Sequence, residues 1–129
     1  MKIYFFIILF AALHFSSCKK EVDASRLEIS LNACNSTSLK KNAEVCYLEL
    51  LEDSRCPANA NCYDQGPAKA RFIIKSGNRQ QQFELSTMDR YPNHQNKIEV
   101  LGYTIRLIQI HPYPGTGGTF HSAEIEISD

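Results

Sequence analysis

Residues 52 to 66 read Glu52-Asp-Ser-Arg-Cys-Pro-Ala-Asn-Ala-Asn-Cys-Tyr-Asp-Gln-Gly66. Two cysteines, Cys56 and Cys62, stand six positions apart in this segment, which has no apolar periodicity. Such a segment predicts a loop closed by a disulfide rather than a strand or a helix. The patterns on both sides of it predict short β-strands, so the loop lies at the centre of the predicted organisation.

Strict alternation of apolar and polar residues predicts half-buried strands on both sides of the loop. In residues 44–52 both faces carry apolar residues, so a helix is the alternative to a strand there. The polar residues 35–42 are predicted to form a connection. Seven strands are predicted, at Arg26–Asn32, Glu44–Glu52, Ala68–Lys75, around Phe83 and Leu85, at Lys97–Leu101, Tyr103–His111 and Ala123–Ile127.

These strands predict an all-β fold, either an antiparallel β-sandwich or a small barrel of about seven strands, stapled by disulfides. The dipeptide Gly77-Asn78 suits a two-residue hairpin loop, because glycine tolerates positive φ. At Leu107 and Ile108 the apolar residues change face, which predicts a β-bulge or burial on both faces.

Residues 1–17 have the layout of a secretory signal peptide. Lys2 is followed by an apolar run from Ile3 to Leu13 and by the small residues Ser16 and Ser17. The run is shorter than the about 20 apolar residues that a transmembrane helix needs. A removed signal over residues 1–17 is therefore predicted, with an uncleaved N-terminal anchor as the alternative.

The segment Phe15-Ser16-Ser17-Cys18 resembles a bacterial lipobox, at which lipoprotein signal peptides are cut and the new N-terminal cysteine is acylated. Five cysteines are an odd number, and an exported protein needs a separate chemistry for the one left over. Several acyl chains on Cys18 give a stable membrane attachment. A lipid anchor at Cys18 in the cell envelope, at the outer membrane, is predicted, and a free or intermolecular thiol is the alternative.

The mature chain is one domain of ordinary size, with residues 18–25 as a solvated tether and residues 26–129 as a single β-domain. Basic and acidic residues number 14 each, and of these only Lys2 lies in the predicted signal. The mature chain is therefore nearly neutral, which argues against nucleic acid as a partner because phosphate neutralisation needs a basic patch. A monomer is predicted.

Four cysteines remain in the mature chain, namely Cys34, Cys46, Cys56 and Cys62. In an oxidising compartment they are expected to form disulfides, with three possible pairings. Cys56 with Cys62 is favoured because loop closure is least costly between near neighbours. Cys34 then pairs with Cys46, which contributes about 2 to 3 kcal/mol. A zinc site is the alternative, but the spacing contains no Cys-x-x-Cys pair.

The pentapeptide Asp53-Ser54-Arg55-Cys56-Pro57, followed by Cys62, Gly66 and the proline-containing segment from Leu107 to Pro114, resembles a family of small lipoproteins from Bacteroidetes-type bacteria. The likeness extends from about residue 44 to residue 127. After its second cysteine the family carries an aromatic-Ala-Gly context, of which only Gly66 is present here. The family has no assigned function, so the resemblance implies a lipid anchor, the Cys56–Cys62 bridge and a β fold, and implies no activity.

Few residues of the sequence suggest catalysis or metal binding. His111 and His121 flank the loop of residues 112–119 and suggest a transition-metal pair, but the sequence places no third ligand beside them. A catalytic triad of Ser54, a histidine and Asp53 is not supported, because the sequence around Ser54 lacks the sharp turn that exposes a catalytic serine. The acidic and amide side chains of residues 53–64 lack the ordered spacing of a calcium loop and are expected to cap turns. No catalysis, metal or cofactor is predicted.

The sequence thus predicts a lipid-anchored binding or interaction module whose protein or glycan partner is not specified. The alternative is an inhibitor of a hydrolase, a protease or a lysozyme, which presents Arg55 on the disulfide-closed loop. That alternative needs an exposed Arg55. We expect instead that Arg55 forms a structural salt bridge with Asp53 or Asp64.

Overall fold

The computed structural model describes residues 24–39 and 42–129, which form eight β-strands. The predicted signal peptide, Cys18 and most of the predicted tether lie outside the described residues. The described part of the chain contains no helix long and apolar enough to cross a membrane. The strands are β1 (Ala24–Ser30), β2 (Cys34–Ser36), β3 (Glu44–Asp53), β4 (Ala68–Ser76), β5 (Arg79–Ser86), β6 (Lys97–Val100), β7 (Tyr103–His111) and β8 (Ser122–Ser128).

The strands form two four-stranded antiparallel sheets, in the orders β1-β8-β7-β6 and β2-β3-β4-β5. Their inner faces enclose one apolar core, so the predicted all-β class is confirmed and the architecture is that of a β-sandwich. In the strands other than β2, alternate residues point inward, which is why the apolar alternation located these strands. The rings of Tyr47, Phe72 and Phe83 stack in sequence, with centroid separations of 5.3 and 5.7 Å.

The predicted connection of residues 35–42 is wrong in its first part, since Cys34–Ser36 is a strand, β2. All three residues of β2 are exposed, so no apolar alternation marks them. Cys34 lies opposite Cys46 of β3, and the two form a disulfide, as predicted. Residues 44–53 are a strand and not a helix.

The predicted change of face in β7 corresponds to a β-bulge. The register between β7 and β8 shifts between Leu107 and Gln109, while the pairing is regular on either side. Ile108 and Gln109 are only partly buried, whereas Leu107 and Ile110 belong to the core. The bulge thus directs two neighbouring side chains of a central strand away from the core.

The sandwich has two distinct ends. The loop end comprises the three long connections of residues 54–67, 87–96 and 112–121. At the other end, Ala24 pairs with Ser128, and the tight turns that contain Gly77 and Gly102 lie at the same end. We name it the anchor end because the predicted lipid anchor precedes β1 in the chain. At roughly 3.3 Å per residue, the seven residues of β1 separate the two ends by about 20 Å.

Candidate functional site

A buried arginine lies at the base of the loop end. Arg55 is the second residue after β3 and is 6% exposed. Its Nε donates a hydrogen bond to Oδ1 of Asp53 at 2.8 Å, and its Nη2 donates to Oδ2 at 2.7 Å. This is the bidentate geometry that makes arginine–carboxylate pairs strong. The predicted partner Asp53 is therefore confirmed.

The same guanidinium group reaches across to the other sheet. Its Nη1 donates to the carbonyl oxygen of Ile110 in β7, and its Nη2 donates to the carbonyl oxygen of Pro112 at 3.1 Å. The carbon at the centre of the guanidinium lies 5.1 Å from the centroid of the Tyr113 ring. Because a buried charge is stable only when paired and hydrogen-bonded, these contacts fix the end of β3 against the end of β7.

The charge state of this pair follows from its surroundings. Burial by itself raises the pKa of Asp53, but the hydrogen bonds and positive charge of Arg55 outweigh it and lower that pKa below its ordinary value of 3.8. Burial also raises the pKa of Tyr47 to about 12, so this phenol stays neutral beside the ion pair. Asp53 thus remains ionised at neutral pH.

The remaining motif residues pack against the backbone. A Cβ atom on Gly66 would overlap the carbonyl group of Ser54, so only glycine fits this close approach. The backbone N–H of Ser54 donates to the carbonyl of Pro67 at 2.8 Å, which closes the base of the loop. Ser54 Oγ donates to the Glu52 carboxylate at 2.9 Å and does not face a histidine as a nucleophile would.

The disulfide-closed loop rests on the loop of residues 112–121. Cys56 and Cys62 are bonded, as predicted. The N–H of Ala58 donates to the carbonyl of Pro114 at 2.8 Å. A Cβ on Gly115 would lie 3.2 Å from Cβ of Pro57, and Gly115 also has a φ of 82°, so this contact between the loops depends on glycine.

The third loop joins from the other side. Arg90 donates to Oδ1 of Asp64 at 3.2 Å and to the carbonyl of Gln65 at 2.8 Å, and the Tyr91 hydroxyl donates to the same carbonyl at 3.0 Å. Asp64, which was the other predicted partner of Arg55, therefore pairs with Arg90. The loop of residues 54–67 thus contacts both other loops and connects the three of them.

A cleft of about 180 Å³ opens at this end, between the loops and the bulge of β7. Its lining combines amide, hydroxyl and apolar side chains with the edge of the buried guanidinium. Gln65 donates from Nε2 to the Tyr113 hydroxyl in the cleft wall. The lining residues are Arg55, Gln65, Thr87, Met88, Ile108, Gln109 and Tyr113.

Two large apolar side chains project from the loop end. Tyr63 follows the disulfide-closed loop, and Phe120 precedes β8; their exposed fractions are 108% and 90%. They are the exposed large hydrophobic side chains of the described residues. Exposed aromatic side chains are typical anchors of binding surfaces, because a large apolar area is buried when a partner docks.

Among the described residues, the fold places no third metal ligand beside the candidate histidines His111 and His121. His111 Nε2 lies 3.8 Å from a carboxylate oxygen of Glu124, and His94 Nε2 lies 3.4 Å from Glu52. Among residues 24–39 and 42–129, the one group of three potential ligands is Cys34, Glu44 and Cys46. Its two cysteines form a disulfide and offer no thiolate.

Sequence reasoning missed the residues that Arg55 contacts in the other sheet, namely Ile110, Pro112 and Tyr113, and the cleft residues Gln65 and Gln109. The available signals were the change of face at Ile108 and the two prolines around Tyr113. Comparison of the chain with protein-family models, with curated proteins and with solved structures found no match.

Proposed function

We propose that this protein is a lipid-anchored binding module of the cell envelope, which recognises a partner through its loop end and performs no catalysis. One observation carries the proposal: buried Arg55 joins the loops of residues 54–67 and 112–121 across the two sheets, and Arg90 and Tyr91 join the third loop to them in one preorganised surface. A preorganised surface loses little conformational entropy on binding, so more of the contact energy appears as affinity.

The position of Ala24, the first described residue, supports a binding surface that faces away from the membrane. Ala24 lies at the anchor end, so a tether from Cys18 joins the domain about 20 Å from the loop end, the length of β1 at roughly 3.3 Å per residue. An acylated Cys18 would then hold the anchor end towards the membrane. The loop end, with Tyr63 and Phe120, would face away from the lipid and towards a partner.

The chemistry of the site favours binding over catalysis. The carboxylate of Asp53 and four N–H groups of Arg55 are engaged with each other and with two backbone carbonyls. An inhibitor that inserts Arg55 into the pocket of a hydrolase needs that side chain in solvent. At 6% exposure Arg55 is instead part of the framework, so we do not retain the inhibitor as a second candidate.

Lipid anchoring is tested by Cys18→Ser. The variant should either be released from the membrane fraction or stay uncleaved, because the acyl chains are its proposed attachment. The measurement is fractionation of cells, with the N-terminal mass of the product determined in parallel. A variant that is cleaved and still fractionates with membranes would show that the anchor is not at Cys18.

Binding through the loop end is tested by photo-crosslinking of the full-length protein in intact cells. A photoreactive residue is placed at Tyr63, at Phe120 or, as the matched control at the anchor end, at exposed Asn78. Adducts are expected at the first two positions and not at the third, and an excess of unlabelled protein should suppress them. Adducts at Asn78 alone, or at none of the three, would contradict the proposal.

A further inference from the structure

The cleft at the loop end has the size of a site for one small chemical unit. Its volume of about 180 Å³ is below the roughly 300 Å³ at which pockets for drug-sized ligands begin. We propose that the cleft binds a single neutral sugar unit of a glycan. This inference rests on the proposed binding role of the loop end and specifies its ligand.

Unused hydrogen-bonding groups face the cleft. The bulge of β7 places the Gln109 amide in the lining, where it has no hydrogen-bond partner among the described residues. Bulges often re-aim side chains at binding sites in this way. The Nε2 of Gln65 donates to the Tyr113 hydroxyl, so the amide oxygen of Gln65 can still accept a hydrogen bond. The Oγ1 of Thr87 accepts from the N–H of Ala68 at 3.0 Å, so the hydroxyl hydrogen of Thr87 can still be donated.

Apolar groups form the rest of the lining beside the guanidinium edge of Arg55. Met88 and Ile108 are partly buried, and the Tyr113 ring forms another wall. A sugar ring has the complementary character, with C–H groups on its faces and hydroxyl groups around its rim. Apolar walls combined with a few placed polar groups are common in small-molecule sites, in which the polar groups fix the orientation of the ligand.

The charges at the cleft favour a neutral ligand over an anion. The positive charge of Arg55 is matched by Asp53, and that of Arg90 by Asp64. An anionic ligand would be repelled by the carboxylate of Asp53, which lies directly behind the guanidinium. The lining residues supply no unpaired cation to offset that repulsion. Neutral hydroxyl groups can instead exchange hydrogen bonds with the two glutamine amides.

The test uses the full-length protein in detergent micelles with methyl glycosides of glucose, galactose, mannose and N-acetylglucosamine as probes. Saturable shifts of the side-chain amide signals of Gln65 and Gln109 are expected in ¹H–¹⁵N spectra with at least one of these glycosides. Gln109→Met keeps the length of the side chain and removes its amide, so it should weaken binding about tenfold or more without changing the melting midpoint. Gln82→Met, at an exposed residue of β5 outside the lining, should leave binding unchanged.

Absence of shifts with all four glycosides would overturn the inference, and so would binding that Gln109→Met leaves intact. Capped tripeptides are titrated in parallel to separate this failure from failure of the proposed function. If tripeptides bind in the cleft and glycosides do not, the sugar assignment is wrong and the binding role of the loop end stands. If crosslinks at Tyr63 and Phe120 are also absent, both the assignment and the binding role are wrong.

Discussion

Replacement of Arg55 by alanine should lower the free energy of unfolding by about 3 kcal/mol, the lower part of the range for breaking a buried ion pair. The lower part applies because the Asp53 side chain is still 24% exposed, so water can reach the stranded carboxylate. The carbonyl groups of Ile110 and Pro112 lose their donors at the same time. Unpaired polar groups at a buried position are destabilising by themselves.

Urea denaturation and thermal melting measure this effect, and the melting midpoint should fall by more than about 10 °C. Arg90→Ala is the matched control, because Arg90 also pairs with an aspartate of the loop end but is 56% exposed. An exposed pair contributes about 1 kcal/mol or less. If both variants melt alike, Arg55 does not hold the framework.

Lysine at position 55 should not restore the stability. Its ammonium group cannot make two parallel bonds to the Asp53 carboxylate while it also reaches the carbonyls of Ile110 and Pro112. The variant Arg55→Lys keeps the positive charge, so it separates the effect of charge from that of geometry. Stability equal to that of the unmodified protein would mean that charge alone accounts for the role of Arg55.

Gly66→Ala should lower the free energy of unfolding by about 1 to 3 kcal/mol, the usual range for overpacking. The added Cβ would overlap the backbone carbonyl of Ser54, which cannot rotate away as a flexible side chain can. Relief of this overlap requires Ser54 and Pro67, the first and last residues of the loop between β3 and β4, to move apart. Their hydrogen bond closes the loop directly before Arg55, so the ion pair is disturbed as well.

Denaturation in urea measures the effect of Gly66→Ala. Asn61→Ala is the control, because Asn61 is an exposed residue of the same loop, and its change should stay within about 0.5 kcal/mol. Equal stability of the two variants would contradict the close packing of Gly66 on Ser54. It would also remove the structural explanation for glycine at the end of the motif.

Seven of the eight strands were predictable because one face of each contributes to the core. Ile29, Ile105, Ile125 and Ile127 alternate with polar neighbours, and all four are fully buried. β2 has no such face, since it is an exposed edge strand held by the Cys34–Cys46 disulfide, and hydrophobic pattern cannot reveal it.

The local part of the site was also predictable. Asp53 and Arg55 are two residues apart, so their pairing follows from the chain itself. The carbonyl of Ile110 lies 55 residues from Arg55, and only the packing of one sheet on the other brings them together. The same holds for the cleft: the pattern indicated a bulge near Ile108, but not that Thr87 and Gln65 would lie beside it.

Amide hydrogen exchange tests most directly the claim that Arg55 unites the loop end into one preorganised surface. The backbone N–H of Ala58 donates to the carbonyl of Pro114. Because Ala58 is otherwise exposed to water, protection of this N–H from exchange reports contact between two of the loops. We expect protection of Ala58 and Ser54 in the unmodified protein and its joint loss in Arg55→Ala, while Thr37, whose N–H bonds the Ala43 carbonyl beside the start of β3, is unaffected. Unprotected Ala58 in the unmodified protein, or protection that survives the loss of Arg55, would contradict the account.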